Sequence, residues 1–231
     1  MKKIILNLLV LSTAIWAASF NEGDYAYNKG NYQDASKLWQ KKCNSGDSKS
    51  CNNLGVLYEN AQGVKKDYKK ASQLYKQACD QNKSDACYNL AILYQNGKGV
   101  KRNFAKTSEL FTKACDSGDA YACNNLGVLY KNGKGVKQNF AKASQLFNKA
   151  CASNIASGCY NLGVLYENAQ GLNQDYKKAK QLYQKACDSG DAHSCYNLGA
   201  LYKNGKGVIK DEKKANQLYE KACKDGGCSR K

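Results

Sequence analysis

Proline is missing from all 231 residues, histidine occurs once, at His193, and acidic side chains number 19 against 36 basic ones. With no proline and only 20 glycines the chain is not collagen-like, and an apolar fraction of 42% with 24% charged residues excludes coiled coil and wholesale disorder. One histidine argues against zinc sites that mix Cys and His and against any multi-histidine active site, which removes much hydrolytic metalloenzyme chemistry. The shortage of acid leaves a formal charge of +17. What is abundant is cysteine, with 12 residues, in a length that fits one or two globular domains or one array of repeats.

Met1-Lys2-Lys3 forms a positive start, and the stretch from Ile4 to Ala18 is apolar apart from Asn7, Ser12 and Thr13. Ala17-Ala18-Ser19 closes it with small residues. Residues 1–19 read as a signal peptide cleaved near Ser19, because a bilayer span needs about 20 apolar residues. Without Lys2 and Lys3 the charge is +15. No cysteine stands at the junction, so no lipid is expected. The expected location is the bacterial periplasm or the secreted fluid, with no membrane span after cleavage. An even set of regularly spaced cysteines in an oxidising compartment reads as a disulfide framework.

Cysteines at 43, 79, 115, 151, 187 and 223, and again at 51, 87, 123, 159 and 195, form two series with a period of 36. Leu54-Gly55, Leu126-Gly127, Leu162-Gly163 and Leu198-Gly199 keep the same interval, with Leu90-Ala91 as the exception, and Tyr58, Tyr94, Tyr130, Tyr166 and Tyr202 follow in step. A fixed period of this size marks a solenoid. Within a unit, Cys123, Leu126, Leu129 and Tyr130 recur at helical spacing, as do Phe140, Ala143, Leu146, Phe147, Ala150 and Cys151. The connections Asn-Gly-Lys-Gly-Val at 96–100, 132–136 and 204–208, and Asn-Ala-Gln-Gly at 60–63 and 168–171, supply the left-handed backbone that ends a helix. The expected fold is all-α, a right-handed α/α solenoid of 36-residue helix pairs stapled by disulfides. Its units are 20–46, a short N-terminal one, then 47–82, 83–118, 119–154, 155–190 and 191–226, with a tail at 227–231.

The pattern Cys-Tyr-Asn-Leu-Gly-x-Leu-Tyr-x-Asn-Gly-x-Gly-Val, followed by an alanine-rich helix, resembles the Sel-one-like repeat, a longer-looped relative of the tetratricopeptide repeat. The two-cysteine form resembles the Helicobacter cysteine-rich proteins. The first unit, where Tyr32 closely follows Gly30, is more like a plain tetratricopeptide unit, and the closing cysteines, Cys223 and Cys228, are five apart. Both look like end caps. The resemblance implies penicillin binding and slow β-lactam hydrolysis.

A cysteine ending one second helix and another eight residues on, in the first turns of the next helix, bring neighbouring helices together, and successive pairing is the scheme that repeats. The expected bonds are Cys43 with Cys51, Cys79 with Cys87, Cys115 with Cys123, Cys151 with Cys159, Cys187 with Cys195, and Cys223 with Cys228. Neither Cys-x-x-Cys nor zinc-type spacing occurs, and no metal or cofactor is expected.

First helices of tetratricopeptide-like units line the concave face, so ligand residues are sought beside the first-helix cysteines. Asn53, Asn89, Asn125, Asn161 and Asn197 stand two residues after them. This ladder of amides suits an extended peptide backbone, or alternatively stacks neighbouring helices. The preceding position varies between Tyr88, Tyr160 and Tyr196 and Asn52 and Asn124. One turn on stand Glu59, Gln95, Lys131, Glu167 and Lys203, where Lys131 and Lys203 suit a carboxylate. Their alternative is ordinary solvated surface. The expected function is a monomeric scaffold binding peptides, peptidoglycan fragments or anionic proteins, and not nucleic acid. The alternative is a β-lactam hydrolase of unknown nucleophile, since Ser-x-x-Lys, Ser-Asp-Asn and Lys-Thr-Gly are all absent. Asp80-Gln81-Asn82-Lys83-Ser84 holds the only Asn-x-Ser/Thr sequence, with an acid two residues ahead, and resembles the extended acceptor of bacterial N-glycosylation.

Overall fold

The computed structural model describes residues 22–224, so the leader assigned to 1–19 and Cys228 lie outside the described residues. Twelve α-helices and no strands occur among those residues. They are α1 Glu22–Asn28, α2 Tyr32–Asn44, α3 Ser48–Asn60, α4 Tyr68–Asp80, α5 Ser84–Asn96 and α6 Phe104–Asp116. Then follow α7 Ala120–Asn132, α8 Phe140–Ala152, α9 Ala156–Glu167, α10 Tyr176–Asp188, α11 Ala192–Asn204 and α12 Glu212–Lys224.

Helix starts are written locally. Asp47, Asp119 and Asp191 accept the amide N–H three residues on, at 2.7–2.9 Å, and cap α3, α7 and α11. Asp67, Asn103, Asn139, Asp175 and Asp211 do the same for α4, α6, α8, α10 and α12. Such a cap satisfies an otherwise orphan amide and is worth about 1 kcal/mol. The loop inside each full pair is then closed by a backbone bond, as from Asn139 N–H to Tyr130 O (2.9 Å) and Asp175 N–H to Tyr166 O (3.1 Å).

The described residues form two compact units, one of residues 22–86 with Lys98–Val100, the other of Cys87–Gly97 and residues 101–224. In the first, α3 packs between α2 and α4; in the second, α7 to α12 pack each against the next. The core is made by the apolar stripe of every helix. Tyr75, Phe111, Phe147 and Tyr183, from α4, α6, α8 and α10, are fully buried, as are Leu57, Leu93 and Leu165 from first helices. The Leu-Gly pair explains itself here. A Cβ at Gly127 would stand 2.6 Å from the Phe147 ring, and one at Gly163 2.7 Å from that of Tyr183.

Cys43–Cys51, Cys115–Cys123, Cys151–Cys159 and Cys187–Cys195 are disulfides with Cα atoms 4.5–4.7 Å apart. Cys79, Cys87 and Cys223 are disulfide-bonded as well. The successive pairing expected from the eight-residue spacing is therefore the one observed.

Candidate functional site

The amide ladder is internally engaged. In the second unit Asn161 Nδ2 donates to Asn124 Oδ1 (3.0 Å), Asn124 Nδ2 to Asn125 Oδ1 (3.4 Å), and Asn125 Nδ2 to the Tyr88 hydroxyl (3.3 Å). This relay runs through α5, α7 and α9. Asn197 hydrogen-bonds Tyr183 of the preceding pair. In the first unit Asn53 Nδ2 reaches Asp24 of α1 at 3.5 Å. Asn52 and Asn89 are also partnered. With Asn52, Asn124 and Asn161 buried, these amides join helices across repeat boundaries, where a lost partner costs about 1–3 kcal/mol.

The tyrosines beside them are differently placed. Tyr88, Tyr160 and Tyr196 each lean on the aromatic ring of their own second helix, at 5.6 Å from Phe111, 6.1 Å from Tyr183 and 5.0 Å from Tyr219. Their backs are fixed and one side stays accessible. The His193 ring lies 6.0 Å from Tyr160 and so joins the same stripe across a repeat boundary. Tyr121 occupies the equivalent position two repeats earlier and is 62% exposed; Tyr196 is 52% exposed. Both Tyr121 and His193 stand two residues before a first-helix cysteine, one turn from the Tyr/Asn position, and that spacing was the signal available for finding them.

Glu59 and Glu167, one turn further on, turn inward. Glu59 accepts from the Tyr75 hydroxyl at 2.8 Å and Glu167 from that of Tyr183 at 2.7 Å. Burial first, then the hydrogen bond and charge of the glutamate, push both phenols far above their ordinary pKa. In four of the five full repeats the chain varies this pair in concert. Where the second-helix ring is Phe111 or Phe147, which has no hydroxyl to satisfy, the partner position holds Gln95 or Lys131; the last repeat departs, with Lys203 before Tyr219. We expect Glu59→Ala to cost about 1–3 kcal/mol, as a buried hydroxyl that loses its acceptor does. Adding Tyr75→Phe should recover most of that loss in denaturant titration; a double variant no better than the single one would contradict the pairing.

The lysines form a second ladder. Lys70, Lys142, Lys178 and Lys214 sit 4.4–5.2 Å over Tyr58, Tyr130, Tyr166 and Tyr202. The loop lysines Lys98, Lys134 and Lys206 lie over the rings of Tyr68, Phe104 and Tyr176 at 5.2–5.9 Å. Much of the basic excess thus covers aromatic faces, at about 0.5–1 kcal/mol per exposed pair. Lys131 is half-buried and Lys203 exposed.

In the first unit a notch of about 300 Å³ is lined by Asp24, Tyr27, Asn28, Trp39, Asn53 and Val56. Its carboxylate is occupied, by Trp39 Nε1 at 3.2 Å and by Lys49. Among the described residues no three His, Cys, Asp or Glu side chains converge as a metal site would require. No helix among them is long and apolar enough to cross a membrane.

Comparison with known proteins gives a consistent picture. The structure is similar to a Sel1 repeat protein from Oxalobacter formigenes, with a TM-score of 0.85, 25% identity, and 89% of this chain and 85% of that one covered. It is also similar to a protective antigen with an SLR fold present in uropathogenic Escherichia coli strains, with a TM-score of 0.81 and 28% identity over 85% of this chain and 42% of that one. In sequence, 66 residues are 39% identical to the Helicobacter pylori protein named "Putative beta-lactamase HcpE", spanning 27% of this chain and 19% of the relative. The Sel1 repeat matches five times in succession, at 48–83, 84–119, 120–155, 156–191 and 192–227, and with most of its length accounted for the chain belongs to the Sel1 repeat family.

Proposed function

We propose that this is an exported interaction scaffold that binds an extended peptide segment of a partner protein along the first helices of the second unit. The observation that carries the proposal is the stripe of Tyr121, Tyr160, His193 and Tyr196. Tyr160 and Tyr196 are braced from behind by the second-helix rings of Tyr183 and Tyr219, His193 lies against Tyr160, and Tyr121 and Tyr196 are more than half exposed. Tyrosine supplies wide apolar contact with a polar handle and loses little freedom on binding when already braced. The amides Asn125, Asn161 and Asn197 set the rings in register. Lys203 at one end offers a charge for an acidic segment, and the overall charge of +17 favours encounter with anionic partners. Disulfides in every full repeat favour a compartment outside the cytoplasm, as the leader-like N-terminus does.

The test is selection from a displayed peptide library by the oxidised protein, followed by affinity measurement for the selected peptides. The triple variant Tyr121→Ser, Tyr160→Ser, Tyr196→Ser should bind them at least tenfold more weakly, with unchanged helical circular dichroism. Affinity unaffected by the three substitutions would move the ligand face elsewhere. A β-lactam hydrolase reading rests on the relative's name and on the family resemblance. It is tested by turnover of a chromogenic cephalosporin, which must persist through purification and be abolished by a point substitution.

A further inference from the structure

Among the five turns that join one pair to the next, the one after α4 differs in a chemically specific way. Three of them, at 45–47, 117–119 and 189–191, read Ser-Gly-Asp, with the glycine in the left-handed region at φ +94°, +92° and +86° and the aspartate capping the next helix. The turn after α4 reads Gln81-Asn82-Lys83, and Asn82 takes the left-handed place at φ +62°. Asn154 does so too, at φ +61°, but Ile155 and Ala156 follow it. Only Asn82 has a hydroxyl residue two places on, Ser84, and an acid two places before, Asp80. Lys83 replaces the capping aspartate, so this turn gives up a contact worth about 1 kcal/mol that three of its counterparts keep.

The residues are presented outward. Gln81 and Asn82 are exposed, and Ser84 opens α5 half-exposed. Asp80 forms a surface ion pair with Lys76, an exposed contact that readily yields to another cation. From this combination we infer that Asn82 is an acceptor for an N-linked glycan, the donor being an oligosaccharide carried on a polyprenyl pyrophosphate. In the transfer, Nδ2 of Asn82 bonds to the anomeric carbon of the first sugar. The bond from that carbon to the pyrophosphate oxygen breaks, the lipid pyrophosphate leaves, and the amide loses one proton. Ser84 and Asp80 serve recognition by the transferase.

This assignment rests on the export proposed above. The full chain, coexpressed in a bacterial host with a bacterial oligosaccharyltransferase and its lipid-linked oligosaccharide, should show by intact mass a population heavier by one glycan. That population should vanish in Asn82→Gln and Ser84→Ala and fall at least tenfold in Asp80→Ala. An unmodified chain in cells where a flexible tail bearing Asp-Gln-Asn-Lys-Ser is glycosylated would overturn the assignment, as would a glycan that persists in Asn82→Gln. Fractionation of the same cells separates the two ideas. A periplasmic but unmodified chain removes the acceptor and leaves export standing; a chain confined to the cytoplasm removes both.

Discussion

Reducing the disulfides should unfold the protein at temperatures where the oxidised form is fully helical. Each bond closes a short loop between a second helix and the following first helix, as at Cys115–Cys123 and Cys151–Cys159. On the chain-entropy account a loop of this length is worth about 2–3 kcal/mol, so the four resolved pairs together supply about 10 kcal/mol. That matches the whole stability of an ordinary domain, about 5–15 kcal/mol. A repeat array has little else to draw on, since each pair buries its stripe only against its neighbours. Thermal melts followed by circular dichroism, with and without a phosphine reductant, should differ in midpoint by about 20–40 °C. Removing one staple, with Cys151→Ser and Cys159→Ser, should cost about 2–3 kcal/mol and loosen α8 and α9 first in hydrogen exchange. A reduced chain that melts with the oxidised one would show that the helix stripes alone hold the array.

The period of 36 made the helix pairs, the loops and the cysteine pairing legible, because each depends on spacing along one chain. The amide relay was not legible in the same way. Asn161 meets Asn124, 37 residues earlier, and Asn125 meets Tyr88, also 37 earlier. The register that offsets neighbours by one residue beyond the repeat is set by how the helices pack, not by the repeat itself. Glu59 and Glu167 resembled a variable surface position until Tyr75 and Tyr183 were seen beneath them. Their concerted change with Phe111 and Phe147 was nevertheless present in the sequence, as was the recurrence of Lys142 and Lys178 twelve residues after Tyr130 and Tyr166. Both lysines stay exposed while lying over those rings. Tyr121 is not among the positions that follow the cysteine, because the exposed stripe also extends one helical turn back.

Two glycines of one loop should respond in opposite degree to the same substitution. Gly133 and Gly135 both have positive φ, +65° and +72°. At Gly133 the nearest atom to an added Cβ is 3.4 Å away, in the Gln138 side chain. The corresponding Ala61 and Ala169 already hold φ of 58° and 54° in their own loops. Gly133→Ala should therefore cost only the left-handed strain, about 1–2 kcal/mol. At Gly135 the new Cβ would fall 2.3 Å from the carbonyl carbon and oxygen of Phe104 and 2.7 Å from the Ala105 nitrogen. These are backbone atoms in the first turn of α6, the second helix of the preceding pair, and they cannot rotate aside. The loop must lift off, carrying Lys134 away from the Phe104 ring, so Gly135→Ala should cost more than about 4 kcal/mol, in the range reserved for clashes with fixed structure. Denaturant titration of the two variants, side by side, measures the difference. Equal losses would mean that the loop floats above its neighbour; a severe loss at Gly135 alone would establish that contact between successive loops and helices, invisible to a hydrophobic pattern, is what holds the second glycine of every Asn-Gly-Lys-Gly in place.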